Sequence, residues 1–283
     1  MTRNRECLSR NRDTQQKTFR GRTFVIMPIR WTLLAAALAL APLMPAHAQD
    51  NYEIQVYPSE TVEKGVTMFE FHTNYTAQGR TAVTPDGELP TNHAVHETLE
   101  ITHGFTPWFE IGFYTFTSAR DGTWSWVGNH IRPRFAVPTE WHWPVGVSIS
   151  QEIGYQRAEF SADTWTWEIR PIVDKQIGRL YVSLNPTLEL SLKGPGAGQA
   201  PGFSPNVAVT FDVTRQVNLG IEYYGAYGPL SGFVVPAQRE QQIFPAINLN
   251  VSPDWEFNAG VGIGLTDATD HLLFKTIIGR RFR

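Results

Sequence analysis

The stretch LYVSLNPTLELSL, residues 180–192, alternates without a break. Leu180, Val182, Leu184, Pro186, Leu188, Leu190 and Leu192 fall on one face of an extended strand. Tyr181, Ser183, Asn185, Thr187, Glu189 and Ser191 fall on the other. A period of two is the signature of a strand with one oily and one wet face. A strand needs about 9–11 residues to cross a bilayer at a tilt, and this run exceeds that. In a soluble sheet the oily face turns to a protein core. In a membrane barrel it turns outward to lipid.

Eleven other runs resemble this one. They are Val66–Tyr75, His93–Gly104, Phe109–Thr117, Trp124–Val137, Val145–Gln156, Thr164–Gln176, Phe203–Val213, Val217–Tyr227, Gln241–Val251, Trp255–Leu265 and His271–Phe282. In the first, Phe69, Phe71 and Tyr75 oppose Glu70, His72 and Asn74. In Trp124–Val137, Val127, Ile131 and Phe135 oppose His130, Arg132 and Arg134. Helical periodicity is scarce, and no 18-residue apolar run follows residue 48. The connections alternate: "FTPW", "PTEWHWP", "IGR", "TRQ" and "SPD" are short, whereas "AQGRTAVTPDGELPTN", "KGPGAGQAPG" and "GPLSGFVVPAQRE" are long. Outer-membrane barrels have short periplasmic turns and longer outer loops, with an even number of strands.

The tryptophans separate the lipid reading from a secreted β-sandwich. Trp108, Trp141, Trp143 and Trp255 fall at short turns; Trp124, Trp126, Trp165 and Trp167 fall toward the other rim. Two aromatic girdles mark the two water–lipid interfaces. The expected fold is therefore all-β: a transmembrane, antiparallel, up-and-down barrel of about 12 strands over residues 66–283. Glu97 and Gln151 fall on the lipid face in this register, and Pro133, Pro171, Pro186, Pro205 and Pro245 lie within strands. Bulges beside the prolines are expected, because proline cannot donate to a ladder.

Residues 1–48 read as a secretory signal peptide. Arg30 precedes the apolar run "WTLLAAALALAPLMP", which ends at Ala46-His47-Ala48, a small-x-small cleavage site. Met27 is the expected true start. The segment holds eight of the 24 Lys and Arg and two of the 27 acids, leaving 16 bases against 25 acids. That balance argues against nucleic acid as a partner, which needs a basic face. The single cysteine, Cys7, lies in the same segment. Residues 49–65 precede the first strand and either plug the lumen or lie in the periplasm.

The inward face carries the candidate lumen-lining residues Glu70, His72, His96, Glu100, His130, Arg132, Arg134, Glu168, Arg170, Glu189, Glu222 and Lys275. Two readings stand open: a polar pore whose charges tune selectivity, or a salt-bridge network that fills a structural barrel. Catalytic signals are weak. "FEFHTNYT" is faintly similar to the His-x-Ser-Asn element of outer-membrane lipid hydrolases, but Thr73 stands at the nucleophile position. His93 and His96 lack further ligands for a metal. No catalytic residue, cofactor or metal site is expected, and the chain is read as no enzyme. The expected location is the outer membrane, and the expected partners are its lipid and lipopolysaccharide, a small-molecule solute, and the barrel-assembly machinery. The last would engage the terminal strand, which ends "IIGRRFR" with Phe282 next to last.

From "EIQVYPSETVEKGVTMFEFHTNYT" through "HETLEITHGFTPWFEIGFYTFTS", "HIRPRF", "WHWPVGVSISQEIGYQ", "WTWEIRPIVDKQIGR", "NLGIEYYGAYGP" and "DHLLFKTIIGRRF", the chain resembles a family of bacterial outer-membrane barrels. That family is described as transporters and named after the meta-cleavage pathway of phenol degradation. The resemblance covers nearly all of residues 51–282 and rests on strand and turn repeats. It implies passage of small organic or aromatic molecules across the outer membrane.

Overall fold

The computed structural model describes residues 51–283; the expected signal peptide, Met27 and Cys7 lie outside them. Twelve strands form one closed antiparallel barrel: β1 (Thr67–Gln78), β2 (Val95–Thr106), β3 (Phe109–Arg120), β4 (Thr123–Ala136), β5 (Gly146–Gln156), β6 (Trp165–Ile177), β7 (Leu180–Lys193), β8 (Gly202–Asp212), β9 (Val217–Ala226), β10 (Glu240–Leu249), β11 (Trp255–Gly264) and β12 (Leu272–Phe282). Each pairs with its neighbour in sequence, and β1 closes on β12 from Thr67↔Phe282 to Gln78↔Leu272. Closure leaves no unpaired edge, so the sheet satisfies its own backbone where no water can.

The wall is built inside out. Phe71, Phe113, Ile131, Leu184, Phe211, Ile221 and Ile278 face outward and are exposed, whereas Glu100, Glu110, His72 and Arg132 face inward and are buried. A continuous apolar exterior of this extent is stable only against hydrocarbon. Trp108, Trp141 and Trp143 at the short-turn end, and Trp124, Trp126 and Trp165 at the other, are also exposed. Ile131 pairs with Phe113 near mid-strand. Ile131→Arg is expected to cost about 2–4 kcal/mol, the depth-dependent penalty for a lipid-facing guanidinium. Denaturant titration of the barrel refolded in liposomes checks this.

Two local expectations are corrected. Val127 does not face lipid with Ile131 and Phe135: it is fully buried inside, packed with Tyr52, Tyr114 and Phe116. Between Phe116↔Gly128 and Thr117↔Trp126 the register shifts by one residue. That bulge inverts the alternation locally and turns Val127 inward while Trp126 stays outside. Four of the five prolines, by contrast, carry no bulge; at Pro205 the pairing with β9 shifts by one residue between Gly202↔Pro229 and Asn206↔Tyr224, as expected. Ile131↔Ile153 and Arg134↔Ser150 keep one register across Pro133. The same holds for Ile169↔Leu188 and Val173↔Leu184 across Pro171 and Pro186, and for Ile243↔Ile263 and Ala246↔Gly260 across Pro245. Pro186 and Pro205 face each other directly. A residue in an antiparallel strand bonds only one of its two neighbours. Proline therefore removes one rung on one side and leaves the other ladder intact, as in Pro133↔Ile111 and Pro171↔Ile149. Glu97 does face outward; it is half-buried and accepts a hydrogen bond from Thr117 Oγ1 at 3.2 Å.

The connections also refine the loop pattern. β3 and β4 are joined by a two-residue hairpin at Asp121-Gly122, with φ of +53° and +76°. Asp-Gly suits this turn because both central residues need positive φ.

Candidate functional site

Residues 51–66 form no strand, yet they are not outside the barrel. They run along its axis from the long-loop end to the short-turn end. Asn51 Nδ2 donates to Asp270 at 3.0 Å, and its carbonyl accepts from Asn74 Nδ2 at 2.8 Å. The Tyr52 carbonyl accepts from Thr98 Oγ1 at 2.6 Å, and that of Ile54 from Lys275 Nζ at 3.1 Å. The Tyr57 amide donates to Asn185 Oδ1 at 2.8 Å, and its carbonyl accepts from Ser183 Oγ at 2.7 Å. Arg134 donates to the carbonyls of Pro58 and Glu60, and both the amide and the hydroxyl of Ser59 bond Asp174 at 2.7 Å. A buried backbone outside a ladder needs such partners, and inward-facing polar side chains supply them. The segment leaves the lumen over Gly104, where a Cβ would lie 2.3 Å from the carbonyl oxygens of Val62 and Glu63. Only glycine permits that approach.

The segment's side chains make two apolar contacts with the interior. Tyr52 joins Tyr114, Phe116 and Val127; Ile54 joins Tyr224, Phe244 and Leu273. Between them and the short-turn end sits Tyr57. Its ring lies 5.0 Å from the guanidinium of Arg132, 5.7 Å from that of Arg134 and 4.9 Å from that of Arg170. Each is within cation–π range. The Tyr57 hydroxyl donates to Glu53 and lies 3.3 Å from the Tyr114 hydroxyl.

The charged residues assemble around this tyrosine. Arg132 bridges Glu100 and Glu110, the latter at 3.0 Å, and Arg134 also holds Glu110, at 2.7 Å. Arg170 pairs with Glu168 at 2.7 Å and lies 3.7 Å from Glu53. Lys275 pairs with Glu222, and His130 with Glu152. Glu152, Glu168 and Glu189 stand directly opposite one another across β5, β6 and β7. His72 lies 3.8 Å from Glu100, with Glu70 beside them. His96 stands apart, edge-on to Tyr52 at 4.8 Å between ring centroids, and His93 is exposed. All twelve candidate residues point into the barrel. Sequence reasoning missed Glu53 and Tyr57, the two segment residues around which they gather; neither lies in an alternating run.

His130 is positioned by a glycine. A Cβ at Gly154, opposite it on β5, would lie 1.7 Å from the imidazole. The ring therefore lies flat over Gly154 while its Nδ1 meets Glu152. Gly154→Val is expected to destabilise the barrel by about 1–3 kcal/mol through overpacking, read as a lower midpoint for loss of heat-modifiable mobility.

Cavities remain around the segment. One of about 810 Å³ opens at the long-loop end and is lined by Tyr52, Arg80, Glu88, Arg120 and Asp270, among others. One of about 650 Å³ opens at the short-turn end beside Trp255, Glu256 and Arg281. Between them a space of about 110 Å³ lies against Glu53, His130, Glu152, Glu168 and Arg170.

No protein-family model matches the chain, and no curated protein matches its sequence. Solved structures do match its shape. An outer membrane channel from Pseudomonas putida F1 superposes with a TM-score of 0.56 at 10% identity, over 81% of this chain and 100% of the other. The KdgM porin superposes with a TM-score of 0.50 at 10% identity, over 76% and 99%. The KdgM porin in complex with disordered oligogalacturonate gives 0.49 at 10% identity, over 77% and 99%. The chain thus has the closed-barrel fold of outer-membrane channels.

Proposed function

We propose that this protein is a porin-like channel of the outer membrane for small organic solutes, held nearly closed by its own residues 51–64. The observation that carries this reading is the placement of the cavities. Two open cavities of about 810 Å³ and 650 Å³ approach from opposite ends. Between them the segment packs Ile54 against Tyr224, Phe244 and Leu273, and the obstructing element is not part of the wall. A pathway interrupted by a separable segment is the form a gated pore takes. The resemblance to the phenol meta-pathway family supports aromatic solutes within that class. Outer-membrane lipid and lipopolysaccharide would contact the apolar belt, and the assembly machinery would engage β12.

Single-channel recording with the purified protein tests the reading, together with liposome swelling using benzoate and a neutral sugar. Discrete conductance and faster swelling with solute are expected. The ion-paired interior favours a second reading, a structural barrel with a filled lumen. A bilayer that stays sealed at all voltages, with and without residues 51–63, would establish it. A lipid hydrolase centred on His72 is not favoured: His72 points inward and Thr73 alternates to the outer face.

A further inference from the structure

We infer that Glu70, His72 and Glu100 form a binding site for one divalent transition-metal cation of the zinc class. The inference does not rest on the channel reading. The three residues are brought together by simple sheet geometry. Glu70 and His72 are two apart on β1 and so share its inner face. Glu100 stands directly opposite Glu70 on β2. Their donor atoms all lie within 4.8 Å of one another. Donors bound tetrahedrally to one zinc ion at about 2.1 Å lie about 3.4 Å apart, so side-chain adjustments of roughly an ångström close the site.

The hydrogen bonding supports this placement. His72 is fully buried, and neither of its ring nitrogens has a hydrogen-bond partner. A buried imidazole without a partner is costly, and such groups need an explanation. Glu70 and Glu100 are buried carboxylates directly facing each other, an arrangement that is unfavourable without a cation between them. The nearby cations are committed elsewhere. Lys275 holds Glu222, Arg281 holds Glu256 at 3.3 Å, and Arg132 holds Glu110 as well as Glu100. Glu70 takes part in none of the described ion pairs. Glu100 divides its oxygens: Oε1 accepts from Arg132 and from Thr102, the latter at 2.6 Å, while Oε2 is turned to His72 and accepts a long 3.5 Å contact from the Tyr57 hydroxyl.

One imidazole and two carboxylates suit zinc, manganese or ferrous iron rather than calcium, which takes oxygen alone. Access is from the short-turn end. Around Gly279, where a Cβ would lie 2.7 Å from Met68 Cε, 3.1 Å from Glu70 Cγ and 3.2 Å from Glu256 Cβ, Glu70 neighbours Met68 and Glu256, and Glu256 lines the cavity at that end.

The untagged protein, stripped with EDTA in detergent, is titrated with Co²⁺ and then Zn²⁺. One equivalent of Co²⁺ with visible ligand-field bands is expected, displaced by Zn²⁺. His72→Ala and Glu70→Gln should each weaken binding by at least about a hundredfold, beyond the loss of a mere outer-shell partner. His103→Ala, on the outer face, should leave it unchanged. Heat-modifiable gel mobility verifies that each variant is folded. Folded wild-type protein that takes up no cobalt would overturn the inference, as would stoichiometric binding that survives both substitutions.

Discussion

Deletion of residues 51–63 raises the single-channel conductance on the order of tenfold, because a barrel of this strand number has a lumen of intermediate width that the segment fills. The deletion also moves selectivity toward anions. It removes Glu53, Glu60 and Glu63 and no Lys or Arg. It leaves Arg132, Arg134 and Arg170, which surround Tyr57 in the intact protein, facing open water. Reversal potentials in a salt gradient measure the shift. The barrel itself survives, since every wall strand keeps both its neighbours. Tyr57→Ala gives a smaller effect of the same sign by opening one layer alone. A deletion variant that folds, as judged by heat-modifiable mobility, yet conducts no more than the parent would show that the segment does not limit passage.

The second large effect is energetic. Arg132→Met lowers stability by about 3–5 kcal/mol, the cost of leaving a buried carboxylate without its partner. Arg132 is 2% exposed and holds two carboxylates that are both fully buried. Its Nη2 also lies 3.2 Å from Thr102 Oγ1. The loss is not shared equally. Glu110 keeps Arg134, whereas Glu100 keeps no arginine. The double variant Arg132→Met with Glu100→Gln therefore recovers most of the stability, because the stranded charge is removed with its partner. Reversible unfolding in urea, in the absence of metal, measures both. Equal destabilisation of the single and double variants would mean that the loss comes from packing around Tyr114 and Tyr57, not from an uncompensated charge.

Much of this barrel was legible from residue order because each strand reports its own two faces. Leu180–Leu192 gives the rule in miniature: its odd and even positions meet different solvents, and Ser183, Asn185 and Thr187 are buried inside as the alternation requires. All twelve strands end within three residues of their expected limits. Val127 is the instructive failure. A single inserted residue at a bulge reverses the alternation, and the shift depends on pairing with β3, which β4 alone does not reveal. Four of the five proline expectations failed for a related reason. Whether a missing N–H breaks the sheet depends on which neighbour that position faces.

The candidate residues divide along the same line. That Arg132, Arg134 and Arg170 point inward follows from period two on β4 and β6. That they converge on one tyrosine does not. Residues 51–62 have neither strand nor helix periodicity, because their backbone bonds go to side chains of β1, β2, β4, β6, β7 and β12 rather than to a ladder. Sequence alone determined the wall of this protein, its strands and its two faces, since those are set by contacts between each residue and its solvent. Tertiary structure alone decided what fills the wall and which charges meet, since contacts across a closed lumen join residues as far apart as Ile54 and Lys275, and no local pattern encodes such a distance.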